Sequence, residues 1–589
     1  MRTFLRSGIF LILCVAACGE ARQAPANSPS PSQSADVIIT NAKIYTGNSQ
    51  QPWAQAVAIK GGRVIAVGPD AEVNQRRGPG TKMIDAQERL LLPGFTDSHI
   101  HFMEGSLALD RVNLAGTQNV AGMQKLILEY SRVHPPTNAH DAWVLGRGWS
   151  YPEFGSAGLP DKKYLDQIIP HRPVFLEGFD GHSFWANSEA LRLAGINKDT
   201  PDPVNGKIVR DSRTGEATGA LLESAADLVA RVIPQPTRHQ RIAALRAGIA
   251  SANRVGLTRV IACADNTPLV SDYLFMDLFD QLRRQGQLTL RLYVSSYFDP
   301  NGDSTAELRE AESLLRRYPR SDDWIEAGAA KMFLDGVIEA HTAAMLAPYS
   351  DEPSQTGSLW WDSAKFKQIV QELDRRGIQV FTHAIGDRAV RLALDAYEQA
   401  EEINHTHDLR HRIEHIETIS AQDIPRFGAL GVIASMQPLH AYPDSDTLGP
   451  WLSAAGPERA TRAWAWQSIA RSGGHLAFGS DWPVVTLNPW QGIQNAVTRQ
   501  TRDGKPEGGW VPEQRITLAQ AIAGYTLGAA YSGHREKQEG SIEVGKLADL
   551  ILVSQNVFEI DPHKIADTQV LLTMVGGKAV YQAAQWKQR

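Results

Sequence analysis

Leu91-Leu-Pro-Gly-Phe-Thr-Asp-Ser-His-Ile-His101 is the stretch that decides how the rest of the chain is read. Leu92 to His101 has the composition of a strand, and on a strand residues two apart point to the same face. His99 and His101 therefore project to one side, while Ile100 faces the other. Two imidazoles on one face, at the C-terminal end of a strand, make half of a metal site. A bare His-x-His pair also arises by chance on surfaces and in cores, so the surrounding sequence has to decide between the readings.

Seven further apolar runs follow: Thr258–Cys263, Thr289–Ser295, Ala327–Leu334, Gln379–His383, His411–His415, Val432–Gln437 and Leu476–Asp481, with amphipathic helical stretches between them. Eight strands alternating with helices predict an α/β protein, a (β/α)8 TIM-like barrel over 92–534. The first two strands are separated by the 156 residues 102–257, far more than one crossover helix needs. That gap predicts an insertion after the first barrel strand, about 139–236, rich in aromatics such as Trp143, Trp149, Tyr151, Phe179 and Trp185. Before the barrel, short strand-like runs (Asp36–Thr40, Lys43–Tyr45, Ala56–Ile59, Arg63–Val67) are punctuated by Gly47, Gly61, Gly62 and Gly68. Ala548–Val553 and Val570–Val575 repeat that grammar after it. The two ends, 36–91 and 535–589, are therefore expected to form one small discontinuous β-sandwich, since chain termini often lie close together.

The 589 residues are 43% hydrophobic and 21% charged with a formal net charge of -6, which is ordinary for a soluble globular chain and gives no reason to expect a nucleic-acid partner. The first residues depart from this. Arg2 and Arg6 precede an apolar run, Gly8 to Ala17, too short to span a bilayer but of the length of a secretory h-region. It ends in Val15-Ala-Ala-Cys18, which resembles a bacterial lipobox. The resemblance implies a lipoprotein signal peptide over 1–17, cleavage before Cys18 and acylation of its thiol; a plain signal peptide cut at an A-x-A-like site is the alternative. Residues 18–35, rich in Ala, Pro, Ser and Gln, read as a flexible tether. The expected location is the cell envelope, exported and lipid-anchored on the periplasmic or outer-surface side. With Cys14 leaving in the signal and Cys18 carrying lipid, Cys263 is the one cysteine left in the body, so no intramolecular disulfide can form.

The chemistry gathers at the expected strand ends. His383 lies in Phe381-Thr-His-Ala-Ile-Gly-Asp387, His415 closes His411-Arg-Ile-Glu-His415, Asp481 lies in Phe478-Gly-Ser-Asp-Trp-Pro483, and Lys331 sits in Ala330-Lys-Met-Phe-Leu-Asp-Gly336. Four His, a Lys and an Asp at the ends of barrel strands would converge on a single point.

With these residues in view, the chain resembles the amidohydrolase superfamily, and within it the branch of N-substituted formamide deformylases and YtcJ-type hydrolases. The likeness runs from Asp36 to the last strands. It includes the Pro93-Gly-Phe-x-Asp-x-His-x-His101 run, Asp180-Gly-His-Ser-Phe-Trp-Ala-Asn187 in the insertion, and Gly540-Ser-Ile-Glu-Val-Gly-Lys-Leu-Ala-Asp-Leu550. The resemblance implies one or two divalent ions, zinc first, with His99 and His101 on the more buried ion and His383 and His415 on the more exposed one. It implies that Lys331 is the bridging lysine, carried as a carbamate; an unmodified lysine paired with Asp335 or Glu339, beside a single ion, is the other reading. Asp481 would ligate the buried ion and take the proton of the attacking water, against the plainer reading of a helix cap. His182 resembles the insertion residue that reaches the substrate as an electrophile; a neutral loop histidine is equally open. Asp387 and Glu414 are expected to orient ligating histidines. Glu223 is expected to position the insertion. Arg412, three before His415, is expected to face away from it in a structural role. The implied reaction is hydrolysis of a non-peptide carbon–nitrogen bond (amide, formamide or N-acyl group) in a small molecule, with the aromatic insertion as an apolar pocket wall. An ester, lactone or carbamate hydrolase, and a non-catalytic envelope-binding lipoprotein, are the alternatives.

Overall fold

The computed structural model describes residues 34–264 and 276–586. Cys18, the signal segment and the tether up to residue 33 lie outside them. Eight parallel strands stand at the centre: β1 (Phe95–Ile100), β2 (Leu257–Ala262), β3 (Arg291–Tyr297), β4 (Ile325–Phe333), β5 (Gln379–Ala384), β6 (Arg412–His415), β7 (Ile433–Met436) and β8 (His475–Phe478). Their order in the sheet is their order in the chain, and β8 packs back on β1 to bring the sheet nearly full circle, a TIM-like barrel. β1, β5, β6 and β7 are buried at every residue, as parallel strands covered on both faces must be. The helix Ser363–Arg375 shows how the cover is laid. Asp362 accepts the N–H groups of Ala364 and Lys365, and Phe366, Ile369, Val370 and Leu373 turn one apolar stripe inward.

The stretch that opened the sequence reading is two strands rather than one. Leu90–Pro93 belongs to the terminal sandwich and Phe95–Ile100 to the barrel. Gly94 is the joint: its N–H goes to Asp549 O (2.8 Å), and a Cβ there would lie 2.4 Å from the Thr258 side chain. Leu90–Pro93 runs parallel to Lys43–Tyr45 and antiparallel to Leu550–Val553, so the two ends of the chain share one six-stranded sheet. A four-stranded sheet made of Arg63–Gly68, Ala56–Lys60, Val37–Thr40 and Lys82–Asp85 completes the terminal unit. Buried ion pairs tie it to the barrel: Arg291 with Asp549 (2.6 Å), and Arg259 with both Glu326 (2.7 Å) and Glu539 (2.5 Å).

Between β1 and β2 lies a six-stranded mixed sheet that begins at Val112–Asn113, ahead of Ala139, and ends with Ala217–Glu223. Most insertion aromatics are core: Trp149, Tyr151 and Trp185 pack in a cluster of their own, while Trp143 and Phe184 join the barrel core. Among the described residues no helix is long and apolar enough to cross a membrane.

Candidate metal centre

The floor of the site is where β1 meets the loop after β8. That strand stops at Phe478, three residues short of Asp481. Gly479 passes so close to β1 that a Cβ would lie 2.5 Å from His99 N. Asp481 takes a left-handed backbone (φ +56°) and donates its N–H to His99 O (2.7 Å). Asp97 pins the two together, its Oδ1 accepting the N–H of His99 (3.1 Å) and of Ser480 (3.0 Å). Asp481 Oδ1 then lies 3.3 Å from His99 Nε2 and 2.9 Å from His101 Nε2. Burial pushes the Asp481 carboxyl up, but His99 and His101 outweigh it and hold it well below the usual carboxylate range.

His99 Nδ1 is hydrogen-bonded to Glu414 Oε2 (2.6 Å), which leaves Nε2 to face Asp481. Glu414 is in turn forked by Arg412, Nε to Oε1 and Nη2 to Oε2 (both 2.9 Å). Burial raises Glu414, yet the charges of Arg412 and His99 bring it to about 2. Arg412 also reaches Ser98 O (2.6 Å) and Ser435 Oγ (2.9 Å). It thus serves the site through Glu414 rather than lying apart from it. The period-two argument fails at the next residue: His415 has φ +73° and Ile416 φ +52°. This left-handed pair breaks the alternation, and the His415 ring sits 4.8 Å from that of His99 and 4.5 Å from that of His383.

Lys331 is wholly buried, its Nζ 4.4 Å over the Phe333 ring and without a hydrogen-bond partner. It acts electrostatically on His99, His101, His383 and His415 alike, which places it among all four. It pairs with neither Asp335 nor Glu339. The Asp335 carboxylate is taken up by the N–H groups of Ala344, Ile385 and Gly386. Burial draws the Lys331 ammonium below its ordinary pKa.

One residue of the centre was not singled out in the sequence. His440 lies in the turn Pro438–Ala441 after β7, its Nε2 3.7 Å from Asp481 Oδ2, its Nδ1 3.9 Å from Glu417 Oε1 and its ring stacked on His415. The signal is in the sequence, since Gln437-Pro-Leu-His440 follows a barrel strand directly, but His440 lies on the turn past the strand end. Two sets, His99/His101/Asp481 and His415/His440/Asp481, each bring their ligand atoms within 4.8 Å of one another. His383 touches this group through His415, while its Nε2 lies 3.3 Å from Gly336 O. His99 Nε2 and His440 Nε2 are buried polar atoms with no hydrogen-bond partner. Imidazole nitrogens and a carboxylate so arranged fit a divalent metal ion.

The insertion contributes His182. Asp180 Oδ1 accepts the N–H groups of His182 (3.0 Å) and Ser183 (3.1 Å), shaping the loop, and Tyr151 OH donates to the other oxygen. His182 Nδ1 lies 2.7 Å from Glu223 Oε2, and Glu223 Oε1 accepts from Thr342 Oγ1 (2.6 Å). Burial lowers His182, but the charge and hydrogen bond of Glu223 raise it to about 9. Glu223, itself left-handed at φ +52°, therefore holds His182. Asp387 touches no histidine of the centre. It opens the helix Asp387–Asn404, and its Oδ1 takes the N–H of Leu346 (2.7 Å). A cavity opens above these groups, with Phe179, Phe333 and Trp360 in its wall.

A model of the amidohydrolase family matches residues 82–581. Protein LONG AFTER FAR-RED 3 of Arabidopsis thaliana is 33% identical over 550 residues, 93% of this chain and 92% of that protein. The N-substituted formamide deformylase of Arthrobacter pascens is 26% identical, covering 93% and 99%. An uncharacterized metal-dependent hydrolase from Pyrococcus horikoshii OT3 shares the fold with a TM-score of 0.70 at 23% identity, over 89% of this chain and 99% of its own.

Proposed function

The chain belongs to the amidohydrolase family, and from that premise we propose that it is a metal-dependent hydrolase that cleaves a carbon–nitrogen bond other than a peptide bond, in an amide, formamide or N-acyl compound. The observation that carries this is the placement of Asp481 in the cavity lining, with one oxygen against His99 and His101 and the other toward His440. A divalent ion, zinc on our reading, would be held by His99, His101 and Asp481, with His415, His383 or His440, and a carbamate on Lys331 serving a second ion. When bound, it supplies Lewis acidity to the scissile carbonyl and to water. Asp481, kept ionised, accepts the proton of the attacking water and delivers it to the leaving group. An amine leaves only when protonated, whereas an alkoxide depends less on that delivery, so a carboxylate placed to carry the proton favours C–N cleavage. His182, cationic and fixed by Glu223, offers an N–H to the carbonyl oxygen as charge builds there. Phe179, Phe333 and Trp360 favour an alkyl or aryl substituent on the nitrogen side. The relative from Arthrobacter pascens, by its name, acts on N-substituted formamides. The enzyme would work from the cell envelope, tethered by a lipid on Cys18.

The test is a turnover screen of the purified metal-loaded protein with N-benzylformamide, N-benzylacetamide, acetamide and benzyl acetate. We expect the N-benzyl amides to exceed acetamide at least tenfold in kcat/KM. Turnover of benzyl acetate with no cleavage of either amide would overturn the C–N assignment.

A further inference from the structure

Among the described residues, ten carboxylates line the cavity above the metal centre, and no lysine or arginine does. Some are answered in place: Glu177 by Arg147 (3.3 Å), Glu223 by His182, and Asp481 by His99 and His101. Asp180 lies beside His182, whose N–H it accepts (3.0 Å), whereas Glu339, Asp444 and Asp446 have no ion pair with a lysine, arginine or histidine among the described residues, and Glu417 faces only His440. Asp446, Glu417 and Asp444 are nonetheless built into position by neutral donors. Ser150 Oγ holds both oxygens of Asp446 (2.5 and 2.6 Å), and Trp451 Nε1 holds Glu417 Oε2 (2.7 Å). Asp444 takes the N–H groups of Asp446 and Thr447 (both 3.1 Å).

Two further observations point to a ligand rather than to a solvated acidic face. Glu417 is only 6% exposed and lines the cavity, with His440 Nδ1 3.9 Å from its second oxygen. Glu104, 3% exposed and also lining the cavity, has a buried Oε1 with no partner. Buried acceptors left without donors cost free energy, so a wall rich in acceptors and poor in donors is complementary to a ligand that brings donors. A metal ion does not fit this demand. Among the described residues, the sets whose ligand atoms lie within reach of one ion contain none of Asp180, Glu339, Glu417 or Asp446. The acceptor oxygens to be matched are spread over several side chains, as a protonated nitrogen with more than one N–H would match them.

We propose that the substrate of this site carries a positive charge, an ammonium or a guanidinium, seated among Asp180, Glu339, Glu417 and Asp446, with its alkyl or aryl stem along Phe179, Phe333 and Trp360. The position of that charge relative to the scissile bond rests on the C–N hydrolase reading; the cation site itself does not. Aromatic faces beside a cation add to its binding, so wall and carboxylates act together.

The experiment is calorimetric titration of the metal-loaded protein with three molecules of like shape: phenethylammonium, 2-phenylethanol and 3-phenylpropionate. We expect the ammonium to bind about tenfold or more tightly than the alcohol, with the anion weakest. Glu339→Gln and Asp446→Asn should each weaken the ammonium several-fold and leave the alcohol unchanged. Equal affinity for ammonium and alcohol in the wild type, a comparison that needs no variant, would overturn the proposal. So would undiminished ammonium binding in both variants. A parallel turnover series of N-acyl amines ending in ammonium or hydroxyl separates the two readings. Failure to hydrolyse any of them counts against C–N cleavage while the calorimetry still decides the cation.

Discussion

Glu223→Gln isolates the electrostatic hold on His182, because it keeps the shape of the side chain and removes its charge. In the wild type, His182 Nδ1 sits 2.7 Å from Glu223 Oε2 and its pKa is raised from 6.5 to about 9. A shift of about 2.5 units, at 1.36 kcal/mol per unit, corresponds to about 3 kcal/mol between the two protonation states. The folded pKa lies above the unfolded one, so this stability is fully present below pH 6.5 and is lost as pH rises through about 9. Wild type and Glu223→Gln should therefore diverge in a defined window. Relative to the variant, the wild type should lose about 3 kcal/mol of unfolding free energy between pH 6.5 and 9.5. Urea unfolding at half-unit steps of pH measures the difference, and NMR titration of 13C-labelled histidine reads the pKa directly. The same substitution should move the alkaline limb of kcat/KM from near 9 to below 6.5, since burial alone lowers His182, if the imidazolium meets the substrate carbonyl. A difference curve that stays flat from pH 6.5 to 9.5 would refute the charge-pair account of His182.

Lys331→Ala should lower activity by several orders of magnitude and retain fewer than two metal ions per chain by elemental analysis, with partial recovery on adding formate; unchanged metal content and activity would remove the bridging role. Arg259→Ala leaves Glu326 and Glu539 buried without their shared cation, and should destabilise the protein by about 3–5 kcal/mol in denaturant titration. Loss below 1 kcal/mol would mean that those carboxylates are served by Arg535 alone, which lies 3.6 and 3.7 Å from them. Cys18→Ala should abolish labelling by a radioactive fatty acid and release the protein from the membrane fraction, and the wild type should begin at Cys18; recovery of a soluble wild type that begins at Met1 would end the anchor reading.

The barrel was legible because most of its strands are buried on both faces and therefore read as plain apolar runs, with helical stretches such as Ser363–Arg375 between them. The joint at Gly94 was not. Leu90–Pro93 and Phe95–Ile100 are equally buried and adjacent, and what separates them is the approach of Thr258 and Asp549, contacts about 160 and 450 residues away in the chain. His99, His101, His383, His415, Lys331 and Asp481 could be gathered because each stands at or just beyond a strand end on one side of the barrel. His440 could not be gathered by that rule, since it stands on the turn beyond. Asp97 was on the page in the opening motif, but its task of tying His99 to Ser480 depends on where the loop after β8 comes back.

The mistaken reading of Arg412 has a physical source that bears on the chemistry. Alternation along a strand assumes extended backbone, and it places Arg412 and Glu414 on one face with His415 on the other. The molecule keeps the first half of that pattern, since Arg412 and Glu414 do act together on His99, and abandons the second, because His415 is left-handed. Asp481 and Glu223 are left-handed as well. Such conformations cost a residue with a side chain of order 1 kcal/mol or more each, and they persist only where surrounding contacts over-determine them. Here those contacts are visible: His99 O takes the N–H of Asp481 (2.7 Å), His182 O takes the N–H of Glu223 (2.9 Å), and Gln437 Oε1 holds His415 Nδ1 (2.9 Å). The three residues aim at the same cavity, one as carboxylate, one as imidazole and one through the imidazolium it holds. Local sequence rules thus fail at the positions where the fold stores strain to set the chemistry, and the failures mark the site as surely as the histidine motif does.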